Sequence, residues 1–240
     1  MRLAHSRQGL VPCLSRRPLA RIARIAVAFV AGLVAAAAAG SARPATGAAT
    51  APSDDAVLSR LTASDWDGLR QLGRGALPVM ARLYERGDPA RRTLIANGFY
   101  SLSWESPDAK RVLAADLGTT DRTLRLSVQY ALGRVSGEND VVDALLRTMR
   151  TDSRQLFRDK AACALAYDQI HLTPQGKVLL FLGLIAALSD PKLQVRAIAI
   201  QALEVHTGQR KGFEPGATES QRALAIEEWR KWLHEYRAQL

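Results

Sequence analysis

The sequence predicts an all-α protein built from stacked helix pairs, and three observations carry that expectation. Four dipeptides, Asp88-Pro89, Ser106-Pro107, Thr173-Pro174 and Asp190-Pro191, each set a capping oxygen before a proline. No segment shows sustained valine and isoleucine alternation between hairpin turns, the pattern a half-buried strand would need. A nine-residue apolar pattern recurs along the chain at intervals of 30 to 38 residues.

The caps mark helix starts for a physical reason. The first N–H groups of a helix have no partner inside it, so a side-chain oxygen takes one and proline fills the first position without losing a bond. Thr218-Glu219-Ser220-Gln221 has the spacing of a capping box opening the last helix.

The repeat is clearest when Leu124 to Leu132 is laid over Val195 to Leu203, 71 residues later. Both read apolar-Arg-x-x-apolar-x-x-Ala-Leu. Phe157 to Leu165 fits between them, and a weaker copy runs from Leu94 to Leu102. Apolar residues at relative positions 0, +4, +7 and +8 share one face of a 3.6-residue helix. The small residue at +7 admits a neighbouring helix, and Leu at +8 fills the space above it. A lone helix pair cannot bury that face, so pairs must stack. A more variable apolar helix is expected before each copy, over Leu69–Glu85, Asp108–Gly118, Asn139–Met149 and Lys177–Leu188.

These residues resemble the HEAT repeat family, including its shorter bacterial HEAT-like form. The closest stretch runs from Leu188 through Asp190 and Val195-Arg196 to Ala202-Leu203. Leu117 through Asp121 to Leu124-Arg125 follows, then Met149 through Asp152 to Phe157-Arg158. The first copy departs, with Ile95 in place of the Arg and with Gly98 and Ser101 at helix-contact positions. The resemblance covers roughly residues 66 to 240. It implies a right-handed α-α superhelix, a HEAT-like solenoid of four to five helix pairs, and says almost nothing about activity. It also implies that Asp121/Arg125, Asp152/Arg158 and Asp190/Arg196 form a structural ladder between repeats.

The C-terminal segment resembles the closing part of exported bacterial HEAT repeat proteins. Gly212-Phe213-Glu214-Pro215-Gly216 reads as a tight loop, and Trp229, Trp232, Leu233 and Tyr236 fall on one helix face. A solenoid end leaves an apolar face uncovered, and such a helix suits a cap.

Composition adds the question of address. The 240 residues carry 33 Lys+Arg against 23 Asp+Glu, a formal charge of +10, with 48% hydrophobic and 23% charged residues. That balance excludes wholesale disorder and a polytopic membrane protein. Seven arginines lie within residues 1–50, which hold no Asp, Glu or Lys; residues 51–240 keep 26 basic against 23 acidic side chains, or +3. Six of the seven precede an apolar run from Ile25 to Gly40, too short for a spanning helix, and Arg43 lies just beyond it. Residues 1–42 therefore read as a signal peptide, and Ser15-Arg16-Arg17-Pro18-Leu19-Ala20-Arg21 resembles the twin-arginine export motif. Residues 43–55 read as a flexible linker and 56–240 as the repeat domain. The expected location is the periplasm or cell envelope, or the inner membrane if the leader stays uncleaved.

The chemistry-bearing residue types do not assemble into a catalytic motif. The four histidines, His5, His171, His206 and His234, are far apart, and no Cys-x-x-Cys or His-x-x-x-His occurs. There is no Gly-x-Ser-x-Gly elbow. Cys163 sits among alanines of a repeat helix, and Gly73-Arg74-Gly75 lacks the strand and Lys-Ser/Thr of a phosphate loop. No cofactor and no metal is expected. HEAT-like DNA glycosylases work through a basic concave face, and a near-neutral domain does not supply one, so nucleic acid is not expected either.

One column points to a partner. Arg92, Arg122 and Gln155 are expected to precede the repeat helices at matching positions, while Tyr100, Tyr130 and Cys163 share another. Polar and aromatic side chains on a rigid curved face suit protein or peptide recognition. The expected function is an exported, non-enzymatic scaffold or protein-binding module of the cell envelope. The alternative is an accessory or regulatory subunit of an envelope enzyme, with a HEAT-like lyase or isomerase third.

Overall fold

A computed structural model describes residues 51–240. Residues 1–42, read above as a signal peptide, and the expected linker up to residue 50 lie outside the described residues. Eleven α-helices and no strand occur among the described residues. They are α1 (Asp54–Thr62), α2 (Trp66–Gln71), α3 (Ala76–Glu85), α4 (Pro89–Leu102), α5 (Pro107–Ala115) and α6 (Arg122–Val135), followed by α7 (Asn139–Thr151), α8 (Gln155–Tyr167), α9 (Pro174–Ala187), α10 (Leu193–Thr207) and α11 (Glu219–Ala238).

The expected starts are largely observed. Asp88, Ser106 and Thr173 each accept a backbone N–H three residues on, with proline at the first helical position. Thr218 and Gln221 form the full capping box. Three expectations need correction. Asp190 caps no helix: its carboxylate accepts the N–H of Lys192, a two-residue turn, and α10 starts only at Leu193. The single helix expected over Leu69–Glu85 is two, because Gly73 adopts φ +70°, which an α-helix cannot hold. The stretch read as linker to residue 55 already contains the first residues of α1, capped by Ser53.

The helices form two files. In one, α4, α6, α8 and α10 touch in succession; in the other, α7 touches α9 and α9 touches α11, while α3 touches α5. Each pair α3/α4, α5/α6, α7/α8 and α9/α10 also packs across the files. The repeat positions explain the contact. Leu124, Phe157 and Val195 at position 0, Val128, Ala161 and Ala199 at +4, and Leu132, Leu165 and Leu203 at +8 are all buried. Ala131, Ala164 and Ala202 at +7 are buried too. The first copy is shifted: Leu94 is half-covered while Ile95, in the arginine position, is fully buried.

The ends are closed differently. At the start, α1 packs on α2, α3 and α4. At the other end α11 covers α9, with Trp229 fully buried and Phe181 of α9 meeting Trp232 and Tyr236 edge-on at 5.1 and 5.4 Å. The loop before α11 covers α10: Phe213 is fully buried, and Arg196 Nε donates to the Pro215 carbonyl at 2.9 Å.

Candidate functional site

Arginine turns out to tie each repeat to the next, in a varied form of the ladder. Arg125 donates to the Leu117 carbonyl, pairs with Asp152 of the following turn, and lies over the Phe157 ring at 4.0 Å. Arg158 donates to its own turn at the Asp152 carbonyl and reaches Gln194 Oε1, both at 2.7 Å. Arg196 donates to the Asp190 and Pro191 carbonyls and to the closing loop. Asp121 caps α6 and makes no pair with Arg125.

Arg92 belongs to that framework. It lies inside α4, not before it, because α4 begins at Pro89. Its guanidinium donates to the Gly87 carbonyl at 2.9 Å, pairs with Asp116 at 3.2 Å and flanks the Tyr84 ring. It thus supplies the rung that Ile95 leaves vacant. The Tyr84 hydroxyl also donates to Asp116, at 2.8 Å, and burial together with that carboxylate pushes the phenol well above its ordinary range.

Arg122 and Gln155 are the first residues of α6 and α8 and are exposed. Gln155 donates to Asp159, whereas the Arg122 guanidinium has no side-chain partner among the described residues. Tyr100 and Tyr130 stand eight residues further along their helices, about 12 Å at 1.5 Å per residue. The five candidates therefore divide into two groups. Within the second, Tyr100 and Tyr130 meet edge-on at 6.5 Å. Cys163, in the same column, is buried and cannot extend the row.

The tyrosine pair sits on a polar cluster that the sequence did not signal. Arg134, near the end of α6, lies over the Tyr100 ring at 4.3 Å and donates to Asp168 at 2.8 Å and to Ser103 Oγ at 3.2 Å. Asp168 is 4% exposed and accepts the Tyr100 hydroxyl as well. Burial holds its carboxyl above the ordinary carboxylate range despite Arg134 and the hydrogen bonds, and burial also raises the Tyr100 phenol. His171 closes the cluster: Nε2 lies 2.9 Å from the Arg134 carbonyl and 3.1 Å from that of Ser103. Two carbonyls can only accept, so Nε2 carries the proton.

The connector from Asp168 to Thr173 reaches these helix ends because two glycines give way. A Cβ on Gly133 would lie 2.3 Å from the Gln169 amide nitrogen, and one on Gly137 would lie 2.2 Å from the His171 carbonyl oxygen. No single residue of the cluster marks it in the sequence, since its members come from three separate segments.

The two rings thus lie beside the Arg134 guanidinium, over a buried carboxylate whose oxygens already accept from Arg134 and Tyr100. Among the described residues, no group of three or more His, Cys, Asp or Glu could hold a metal ion, and no helix is long and apolar enough to cross a membrane. No protein-family model matches the chain, and neither does any curated protein or solved structure.

Proposed function

We propose that the chain is an exported, non-enzymatic HEAT-like scaffold that binds a protein or peptide partner in the cell envelope. In this reading the helix pairs wind into a right-handed superhelix, and α4 and α6 present Tyr100, Tyr130 and Arg122 on its inner face. The observation that carries it is the serial contact of α4, α6, α8 and α10 through one repeated residue pattern. A file of equivalent helices makes an extended, stiff surface, and ordered aromatic and Arg side chains are the types that anchor interfaces. Export rests on the Arg-rich leader and its apolar run.

The test is affinity capture from periplasmic extract with the full chain and with a Tyr130→Glu, Arg122→Glu variant. A protein recovered by the first and lost by the second is the expected result. Repeated recovery of nothing by the unaltered chain overturns the reading.

A further inference from the structure

The two ends of the helix pairs differ in charge. Contacts between successive turns set the turns α3–α4, α5–α6, α7–α8 and α9–α10 side by side. Arg92 pairs with Asp116, Arg125 with Asp152 and Arg150 with Asp190, while Arg158 reaches Gln194. Residues 86–92, 116–125, 150–158 and 190–196, which make this edge, hold ten Arg or Lys against five Asp. That surplus of +5 exceeds the +3 of residues 51–240, so the rest of the domain is negative. The loops at the opposite ends are joined by Arg134 to Ser103 and Asp168, and by Lys110 to Glu138. Over 103–110, 135–143 and 168–177 they hold six Asp or Glu against two Lys.

The surplus stands at the surface. Arg86, Arg91, Arg122, Arg154 and Lys192 are exposed, and among the described residues none forms an ion pair. The five aspartates are engaged elsewhere. Asp88 and Asp121 cap α4 and α6, Asp116 and Asp152 pair with Arg92 and Arg125, and Asp190 accepts the Lys192 N–H. Apolar side chains without cover stand among the cations: Leu193 is 54% exposed beside Lys192, and Pro89, Ala90 and Pro191 are exposed. No aromatic ring is exposed on these turns, since Phe157 is fully buried.

We infer that this edge lies against an anionic phospholipid surface, with Arg86, Arg91, Arg122, Arg154 and Lys192 on headgroup phosphates and Leu193 entering the interface. This goes beyond the protein-binding reading and does not depend on it, because Tyr100 and Tyr130 lie towards the other ends of α4 and α6. Packed helices stand about 8–10 Å apart, so the four turns span roughly 30 Å and meet several headgroups at once. Each cation near an anionic leaflet strengthens binding about fivefold, and an apolar side chain at the boundary adds burial. Turn tips suit a plane. A nucleic-acid strand would use exposed rings to stack on, and these turns have none. An acidic peptide would need walls that a row of turns does not supply. A second copy would have to offer its negative edge, where Glu138 and Asp140 already pair with Lys110 and Asp168 is buried.

The experiment uses the full chain with Cys13→Ser and a polarity-sensitive fluorophore on one added thiol. Ser153→Cys places it on the basic edge and Asn139→Cys on the opposite one; both positions are exposed, and Cys163 is buried. Phosphatidylglycerol vesicles are expected to brighten the label at 153 and leave that at 139 unchanged. The contrast reads which edge of the domain meets lipid even where residues 1–50 themselves enter the vesicle. Phosphatidylcholine vesicles should brighten neither. Raising salt from about 0.1 to about 1 M shortens the screening length from about 10 to about 3 Å and should reverse the response. Arg91→Glu, Arg154→Glu and Lys192→Glu together should abolish it at an unchanged urea midpoint, since none is in an ion pair and an acid suits a helix start. Equal brightening at both labels, brightening at 139 alone, no response at 153, an equal response to phosphatidylcholine, or a response that the triple variant keeps overturns the inference. A larger response at 153 to soluble polyglutamate than to vesicles overturns it in favour of an acidic polymer. Salt-sensitive dimerisation in sedimentation that the triple variant abolishes, without a vesicle response, overturns it in favour of a second copy.

Discussion

Arg134 Nε donates to Asp168 Oδ1 at 2.8 Å, tying the end of α6 to the end of α8 over a carboxylate that is almost fully buried. The pair is set among hydrogen bonds, since Tyr100 donates to the same carboxylate and Arg134 also reaches Ser103. Burial nevertheless outweighs the attraction and raises the Asp168 pKa, so the negative charge itself adds little to stability. What matters is the acceptor. Asp168→Asn keeps one and is expected to change unfolding free energy by less than about 1 kcal/mol at pH 7. Asp168→Ala strands Arg134 and the Tyr100 hydroxyl and should cost about 2–3 kcal/mol. Urea unfolding of the two variants checks the contrast; equal losses would show that the charge, not the acceptor, is what the fold uses.

A raised carboxyl pKa also fixes a sign with pH. The native state binds the Asp168 proton more tightly than the unfolded chain, so this group stabilises below its ordinary value near 3.8 and loses that contribution as pH rises through the native value. His206 has the opposite sense. Burial against Phe181, and then Lys177, lower its pKa below 6.5, although Nε2 donates to the Leu165 carbonyl at 2.9 Å. Its contribution is whole above 6.5 and is lost as pH falls towards and through the lowered native value. Relative to His206→Gln, the unaltered protein should lose stability steadily from pH 7 to pH 5, as read from urea midpoints. Parallel curves for the two proteins would refute this.

Gly137 is where the connector comes closest. A Cβ there would meet the His171 carbonyl oxygen at 2.2 Å and its carbon at 2.7 Å, both backbone atoms that no rotamer change can move. Gly137→Ala should therefore push the connector away and destabilise by about 1–3 kcal/mol, the range for overpacking. Gly216→Ala is the control, because nothing lies within 4 Å of its added carbon and the expected change is within about 0.5 kcal/mol. Thermal unfolding of both distinguishes a steric loss from a general effect of glycine replacement.

How far the sequence could be read depends on whether the cause is local. The buried faces of α6, α8 and α10 follow from 3.6-residue spacing, and the buried alanines at 131, 164 and 202 were visible as small residues where helices must approach. Asp88, Ser106 and Thr173 cap as written because a cap needs only its own three neighbours. Asp190 fails because the chain turns once more before α10, and Leu69–Glu85 splits because one glycine takes a left-handed conformation. The Tyr100–Arg134–Asp168 cluster was out of reach for a different reason. Its members are 34 residues apart or more, with the link Arg134–Asp168 made only once the connector lies on Gly133 and Gly137. Arg92 shows the same limit: its place in the repeat suggested a free surface, while its contacts belong to the framework.

Trp229 tests whether α11 is a cap that the fold needs. Its indole is fully buried and meets Trp232 edge-on at 5.4 Å, while Trp232 stacks on Tyr236 and both meet Phe181 of α9. Among the described residues the indole N–H finds no acceptor, so the residue contributes through apolar area and shape. Trp229→Ala should remove that packing and leave a cavity, costing about 3–5 kcal/mol. Trp229→Phe should lose less, because it keeps a ring and removes an unsatisfied donor. Leu224, 73% exposed on the same helix, should tolerate alanine within about 0.5 kcal/mol. Urea unfolding followed by far-ultraviolet circular dichroism reads all three. A cap that merely rests on the end would give a small, separate early transition on Trp229→Ala; one that completes the core should lower the midpoint of the whole.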